Sequence, residues 1–286
     1  MTLLLSASPL FADGFLTLNL GVDARTTALG GGGVALANHG SGGYYNPALL
    51  TGEVPSTLVF THHNWIQGVR ANFLGLGRGK GQSGLGVYLL YTEIGDMEYR
   101  TRPTPEPEGE FSANDLAAGV SYAHALTERF SVGLSVKMLY KKLFVYDAFG
   151  AAADLGIAWE TGFRDLRIAA TVAHLGQTGN LVNKPISLPV RTRVGICWPL
   201  RPAGRSLIIT TDAVIPNEEA VFLSGGAELY LSKSFMVRGG FQLFGGRNRI
   251  SGGIGMRLGK ARIDYSFMPV QEGLGSSHMF SVHFSF

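Results

Sequence analysis

From about Pro55 to the last residue, apolar side chains recur at every second position. The C-terminus shows this most plainly. Phe280, Val282, Phe284 and Phe286 fall on one face, and Ser281, His283 and Ser285 on the other. Successive side chains of a strand point to opposite faces, so a sustained period of two means β-sheet. Ile263, Tyr265 and Phe267 repeat the pattern, as do Phe130, Val132, Leu134, Val136 and Met138. Fourteen such segments begin near residues 56, 67, 84, 115, 129, 150, 165, 189, 205, 220, 234, 248, 260 and 278. Strand plus connection averages about 17 residues, of which a membrane-crossing strand takes about 9–11.

The chemistry of the two faces decides what kind of sheet this is. One face is large, apolar and often aromatic; the other carries Gly, Ser, Ala and isolated charges. A β-sandwich would show water a polar surface rich in Lys and Glu. Here only 16% of residues are charged and 40 of 286 are glycine, about twice the usual glycine share. The predicted fold class is therefore all-β: a transmembrane antiparallel β-barrel of about 14 strands, apolar face to lipid, polar face to a lumen. An open sheet edge is untenable in hydrocarbon, and an even strand number is the bacterial pattern. The lumen then receives the charges: Arg167, Arg191, Arg193, Arg238, Arg249, Arg257 and Arg262, with Asp154, Asp212, Glu228 and Asp264 as partners. Because arginines outnumber acids in this set, a positive, anion-selective interior is expected. On the lipid face, Phe284→Arg is expected to destabilise by about 2–4 kcal/mol if mid-membrane, and Ser285→Arg by much less.

Other classes fall away on composition. Hydrophobic residues at 45% exclude a disordered chain, and the glycines weigh against a helical one. Cys197 is the one cysteine, so no disulfide framework exists. The net charge of +3 is spread singly, whereas nucleic-acid binding needs a basic cluster. No cofactor is expected.

Connection lengths are an independent sign. The longest, Thr92 to Asn114, Gly176 to Ser187 and Met268 to Ser277, follow odd segments. Tight turns near Thr127-Glu128, Ser232-Lys233 and Gly259-Lys260 follow even ones. Outer-membrane barrels have short periplasmic turns and long outer loops, so both termini are expected in the periplasm.

The first part of the chain breaks the period. Residues 1–12 are apolar and uncharged and read as the remnant of a secretory signal, with a cut after Ala12. Residues 13–53 form a glycine-rich periplasmic or hatch segment, and residues 54–286 the barrel. Gly30, Gly32 and Ala35 match a dinucleotide-binding fingerprint in spacing, but no βαβ unit surrounds them. So many glycines are expected to keep this segment from standing as a helix.

The stretch Ala24-Arg25…Leu29-Gly30…Gly33-Val34-Ala35-Leu36-Ala37, then Asn46-Pro47-Ala48-Leu49, then alternating strands to Phe286, resembles the PorV/PorQ-type barrels. These belong with the long-chain fatty-acid transporter (FadL-like) outer-membrane proteins. The resemblance implies a fourteen-stranded barrel in a bacterial outer membrane, with the N-terminal segment folded inward as a hatch. Gly30, Gly31, Gly32, Asn46, Pro47 and Ala48 would be the hatch motif. Phe284 and Phe286 would be the C-terminal signal read by the insertion machinery. The implied function is passive passage of small hydrophobic or amphipathic solutes. The alternative is a PorV-like secretion accessory that docks exported proteins. Partners would be outer-membrane lipid, the insertion machinery, and a hydrophobic small molecule or an exported protein. Gly225-Gly226, Gly239-Gly240 and Gly252-Gly253 are candidate wall kinks for a lateral route.

Candidate chemistry is sparse. His62 and His63 are neighbours on a strand, point to opposite faces and cannot chelate one metal; with Trp65 they read as an interfacial girdle. His39-Gly40-Ser41 lacks a nucleophile-elbow frame. Ser281, His283 and Ser285 share a face, but as polar lumen residues rather than a hydrolase site. No metal site and no enzyme activity are expected, and Cys197 reads as a small free thiol.

Overall fold

The computed structural model describes residues 14–37, 39–100, 102–103, 105–181, 183–202, 206–217, 220–244, 247–270 and 275–286. The signal-like residues 1–12 lie outside this set. The strands are β1 (Val54–Asn64), β2 (Val69–Lys80), β3 (Ser83–Tyr99), β4 (Gly109–Ala125), β5 (Phe130–Leu143), β6 (Tyr146–Glu160) and β7 (Arg167–Thr178). Two-residue strands β8 (Asn180–Leu181) and β9 (Lys184–Pro185) follow. Then come β10 (Arg191–Leu200), β11 (Leu207–Pro216), β12 (Phe222–Tyr230), β13 (Phe235–Phe244), β14 (Arg247–Leu258), β15 (Ala261–Pro269) and β16 (Ser276–Ser285). All but β8 and β9 form one closed antiparallel barrel of fourteen strands in chain order. β1 closes it on β16, with Phe60 opposite Val282, and Phe286 N–H donates to Ser56 O.

The alternation read from the sequence is the alternation of the wall. On β5, Leu134, Val136 and Met138 point outward and are exposed, while Ser135, Lys137 and Leu139 point inward and are buried. A closed sheet with hydrocarbon side chains outside and ions inside is solvated by lipid. Val136 lies mid-strand beside Val120, which is itself beside Val87, and is 53% exposed. We expect Val136→Arg to cost about 2–4 kcal/mol, the midplane value. Phe284 is one residue from the end of β16, so Phe284→Arg falls to about 0–1 kcal/mol, near the interface. Equal losses for the two in urea unfolding from lipid vesicles would refute this placement.

Several expectations need correction. The stretch from Thr92 to Asn114 is mostly sheet. Thr92 pairs with Asp115 and Tyr99 with Gly109, across a bulge between Ile94 and Met97. Its polar residues obscure the period, but pairing above the hydrocarbon needs only backbone. Loop parity holds for the longest connections, 100–108, 179–190 and 270–275, but is not strict. β5 and β6 join through Phe144-Val145 at that same end. The paired glycines are not kinks, because β12, β13 and β14 pair without a register shift there. The wall is irregular instead between Ala153 and Leu155, opposite Ala173 and His174. There both Ala173 and His174 are buried, and His174 has φ +66°.

The N-terminal residues pack against the inward faces of the strands. Two short helices, α1 (Ala24–Ala28) and α2 (Gly42–Tyr45), alternate with 3-10 turns at Leu16–Asn19, His39–Ser41 and Pro47–Leu50. The expectation that glycine would prevent helix here is thus wrong for these short stretches. Asp23 caps α1 by accepting from Arg25 N–H, and Gly30 and Gly31, at φ +76° and +81°, end it.

Candidate functional site: the barrel interior

Phe15, Leu18, Ala28, Leu29, Val34, Ala35, Ala48 and Leu50 are fully buried, so the segment fills the ring rather than lining it. Glycine makes the fit. On the inward faces of β12, β13 and β14, a Cβ at Gly226 would lie 2.7 Å from the Leu29 backbone. At Gly240 it would lie 2.2 Å from Gly30 N, and at Gly253 2.6 Å from the Ala28 Cβ. The three form a flat seat for the end of α1.

Polar contacts lock the segment to the wall. Ser251 Oγ donates to Ala28 O and accepts from Gly30 N–H. Gln242 Nε2 donates to Gly30 O. Asp212 takes Gly33 N–H and Val34 N–H on one carboxylate oxygen, at 2.9 and 3.0 Å. Asn46 is fully buried. Its Nδ2 donates to Val34 O within the segment and to Ile157 O on β6, at 2.9 and 3.1 Å. Its Oδ1 accepts from Ala48 N–H, capping the turn that Pro47 begins. Within the expected motif, Gly30 and Gly31 are set by backbone angle and Gly32 by closeness to Thr210. Asn46 is the bracket, and Ala48 lies against β5, where Gly133 makes room and Ser131 Oγ donates to Ala48 O.

Two ionic clusters hold the rest. In the first, Glu228 accepts from Arg25 Nε and Nη2 at 2.9 and 2.7 Å, and from Arg238 Nε at 2.5 Å. Arg238 also pairs with Asp264 at 2.8 Å, and Asp264 with Arg262 at 2.7 Å. His283 lies 3.4 Å from Asp264 and 3.6 Å from Asp23. Ser281 Oγ accepts from Ala24 N–H and is bonded to Thr61 Oγ1, so it braces the segment against the wall. In the second, Lys137 donates to both oxygens of Asp154, which also accepts from His174 N–H. Arg191 donates to Leu18 O and Asn19 Oδ1. Lys141 bridges Asp115 and Gly14 O.

Not every expected lumen charge behaves alike. Arg191 and Arg238 are buried; Arg193 and Arg262 are half-buried. Arg167 pairs with Glu160 near the short-turn end and donates to Ala35 O. Arg249 is half-buried toward the opposite end, and Arg257 is exposed at the rim beside the Gly259 turn. Ion pairs balance part of the interior: Arg25 and Arg238 share Glu228, Arg238 and Arg262 meet Asp264, Lys137 meets Asp154, and Lys141 meets Asp115. Arg191 instead donates to Leu18 O and Asn19 Oδ1, and Asp212 accepts from backbone N–H groups of the segment. Charges are tolerated out of water only when partnered in these ways. Lys137, Lys141 and Asp115 had a usable signal, since each sits on the inward parity of its strand. Asp23 and Arg25 had none.

His62 and His63 do split between faces. His63, however, is buried, bonded to Ser277 Oγ at 2.8 Å and edge-on to Trp65. Trp65 packs on the interior cluster, so the pair is not an interfacial girdle. Cys197 is free and buried on the inner side.

A second feature of the interior is its apolar half. Tyr44 of α2 meets Phe73 and Tyr88 of the wall at ring-centroid distances of 5.9 and 5.6 Å, and its neighbour Tyr45 at 5.4 Å. Phe15, Leu18, Leu20, Val22, Val59, Leu90 and Leu139 complete the cluster. A water-filled porin has a polar lumen; here one part of the interior is an aromatic and aliphatic cluster beside the ionic ones.

No family model matches the chain, and no curated protein does either. Solved structures do. The Pseudomonas putida toluene transporter TodX aligns with a TM-score of 0.68 at 12% identity, over 93% of this chain and 98% of that one. The fold is that of FadL-type outer-membrane transporters. The Ralstonia pickettii toluene transporter TbuX (TM-score 0.64, 16% identity) and a Pseudomonas aeruginosa FadL homologue (0.60, 12%) each align over 93% of this chain and 98% of theirs. At these identities the FadL-type likeness is one of architecture, and individual roles rest on this chain's own contacts.

Proposed function

We propose that this chain is an outer-membrane barrel that passes small hydrophobic or amphipathic solutes passively, with residues 13–53 acting as a movable hatch. The observation that carries this is the aromatic, apolar half of the interior around Tyr44, Tyr45, Phe73 and Tyr88. It suits a hydrocarbon or ring better than a hydrated ion. Both termini and the short turns lie in the periplasm on this reading, and the 100–108 and 179–190 connections face outward. Passage requires the segment to shift, because its packing and its bonds to β5, β6, β11 and β14 close the ring. The FadL-type fold supports the substrate class, since two of the similar proteins carry toluene. The test is uptake of a small aromatic solute by liposomes holding the purified chain. Accumulation above empty liposomes is expected, reduced by Tyr88→Asp, which charges the aromatic half. Uptake equal to that of empty liposomes overturns transport and favours the accessory barrel that docks exported proteins.

A further inference from the structure

At the long-connection end, two pieces of chain meet over the aromatic half of the interior. Lys141, two residues before the end of β5, donates to Gly14 O and lies over the Phe15 ring at 5.4 Å. Gly14 forms a parallel bridge with Ser187 of the 179–190 connection. That connection doubles back through β8 and β9 and then puts down one side chain. Asn183, Pro185 and Ser187 are exposed, whereas Ile186 is buried in the same apolar cluster as Tyr44, Phe73 and Tyr88. Leu181 and Leu188 flank it and pack on that cluster.

This strap is tied lightly. Thr178, the last residue of β7, donates its hydroxyl to Ile186 O at 2.7 Å and accepts from Ile186 N–H at 3.0 Å. Among the described residues, that hydroxyl supplies the only side-chain hydrogen bonds to residues 183–188. The deeper half of the N-terminal segment is held instead by Asp212, Asn46, Ser251 and Gln242, and by wall glycines that its backbone presses against. Local opening begins where buried contacts and hydrogen bonds are fewest. Lifting the strap withdraws one isoleucine from the cluster and breaks the bridge to Gly14, so it also releases the start of the segment.

We infer that residues 183–188 are a gate over the aromatic half, that Ile186 is the side chain that closes it, and that a small hydrophobic solute enters beneath it. The passage of solute rests on the transport reading above; the gate itself rests on the burial of Ile186 and its single tie.

In a Cys197→Ser background, Gly14→Cys with Ser187→Cys makes the bridge covalent. Neighbouring strands lie about 4.7–4.9 Å apart, inside the Cα range that a disulfide spans. Whole cells carrying the oxidised pair should take up radiolabelled toluene on the order of tenfold more slowly than after reduction by an impermeant phosphine. Thr178→Val removes both bonds to Ile186 at nearly constant shape and should speed uptake about threefold or more. Opening is also read without transport. Ile186→Cys in the purified barrel should react with a maleimide roughly tenfold more slowly than Ser187→Cys, yet to completion while migration stays heat-modifiable. Adding Thr178→Val should narrow that gap. Uptake by the oxidised pair as fast as by the reduced one overturns the gate. So does an Ile186→Cys that labels as fast as Ser187→Cys, or that never labels in the folded barrel. If neither the wild type nor the reduced pair exceeds cells without the barrel, the transport reading fails instead, and the labelling decides the gate by itself.

Discussion

Deleting residues 21–50 is expected to leave a barrel that still inserts and still migrates differently when heated, yet conducts far more than the intact chain. Strand pairing does not involve these residues: β1 begins at Val54 and closes directly on β16. The wall keeps its lipid-facing side chains, and its inward charges become solvated. A fourteen-stranded ring encloses more space than its own side chains fill, so removing the segment empties the lumen. Asn46→Ala should give a partial version. It removes the bracket to Val34 O and Ile157 O and leaves Ala48 N–H without its cap. Net values of about 0.5–1.5 kcal/mol per hydrogen bond loosen the segment without expelling it. Single-channel recording in planar bilayers decides the matter. A deleted form that inserts and conducts no more than the parent means that the segment is not a plug.

Glu228→Ala is expected to be the most destabilising single truncation inside the barrel. The carboxylate is fully buried and is shared by Arg25 of the segment and Arg238 of β13. Removing it leaves two guanidiniums facing each other out of water, at a cost of about 3–5 kcal/mol. Arg238 retains Asp264, whereas no second carboxylate is paired with Arg25 among the described ion pairs. The segment should therefore yield first. Proteolysis within residues 21–50 should quicken while the barrel remains heat-modifiable. A loss under about 1 kcal/mol with unchanged proteolysis would show that the pair contributes no more than a surface ion pair does.

The architecture was legible because a lipid-facing barrel writes a strict code. Hydrocarbon solvates one face and protein the other, so Leu134, Val136 and Met138 must alternate with Ser135, Lys137 and Leu139. Strand number and closure followed from that period. The code lapses where lipid ends, and so Thr92 to Asn114 looked like a loop.

Parity says which face a residue occupies, not which neighbour it meets. Arg191 and Arg238 share the inward face, yet one donates to a backbone carbonyl and the other joins a two-carboxylate network. Ion partners depend on how strands far apart in sequence come together around the ring, as do the balance of charge and the place of Asp23 and Arg25. The same holds for the glycines. Sequence marked Gly225-Gly226, Gly239-Gly240 and Gly252-Gly253 as weak points in the wall. Tertiary structure made Gly226, Gly240 and Gly253 a seat, because what a missing Cβ admits is whatever backbone the fold brings against it. The sequence by itself determined a lipid-facing barrel. Only the closed ring, by setting the distances across its interior, decided that the segment fills it and which charges hold it there.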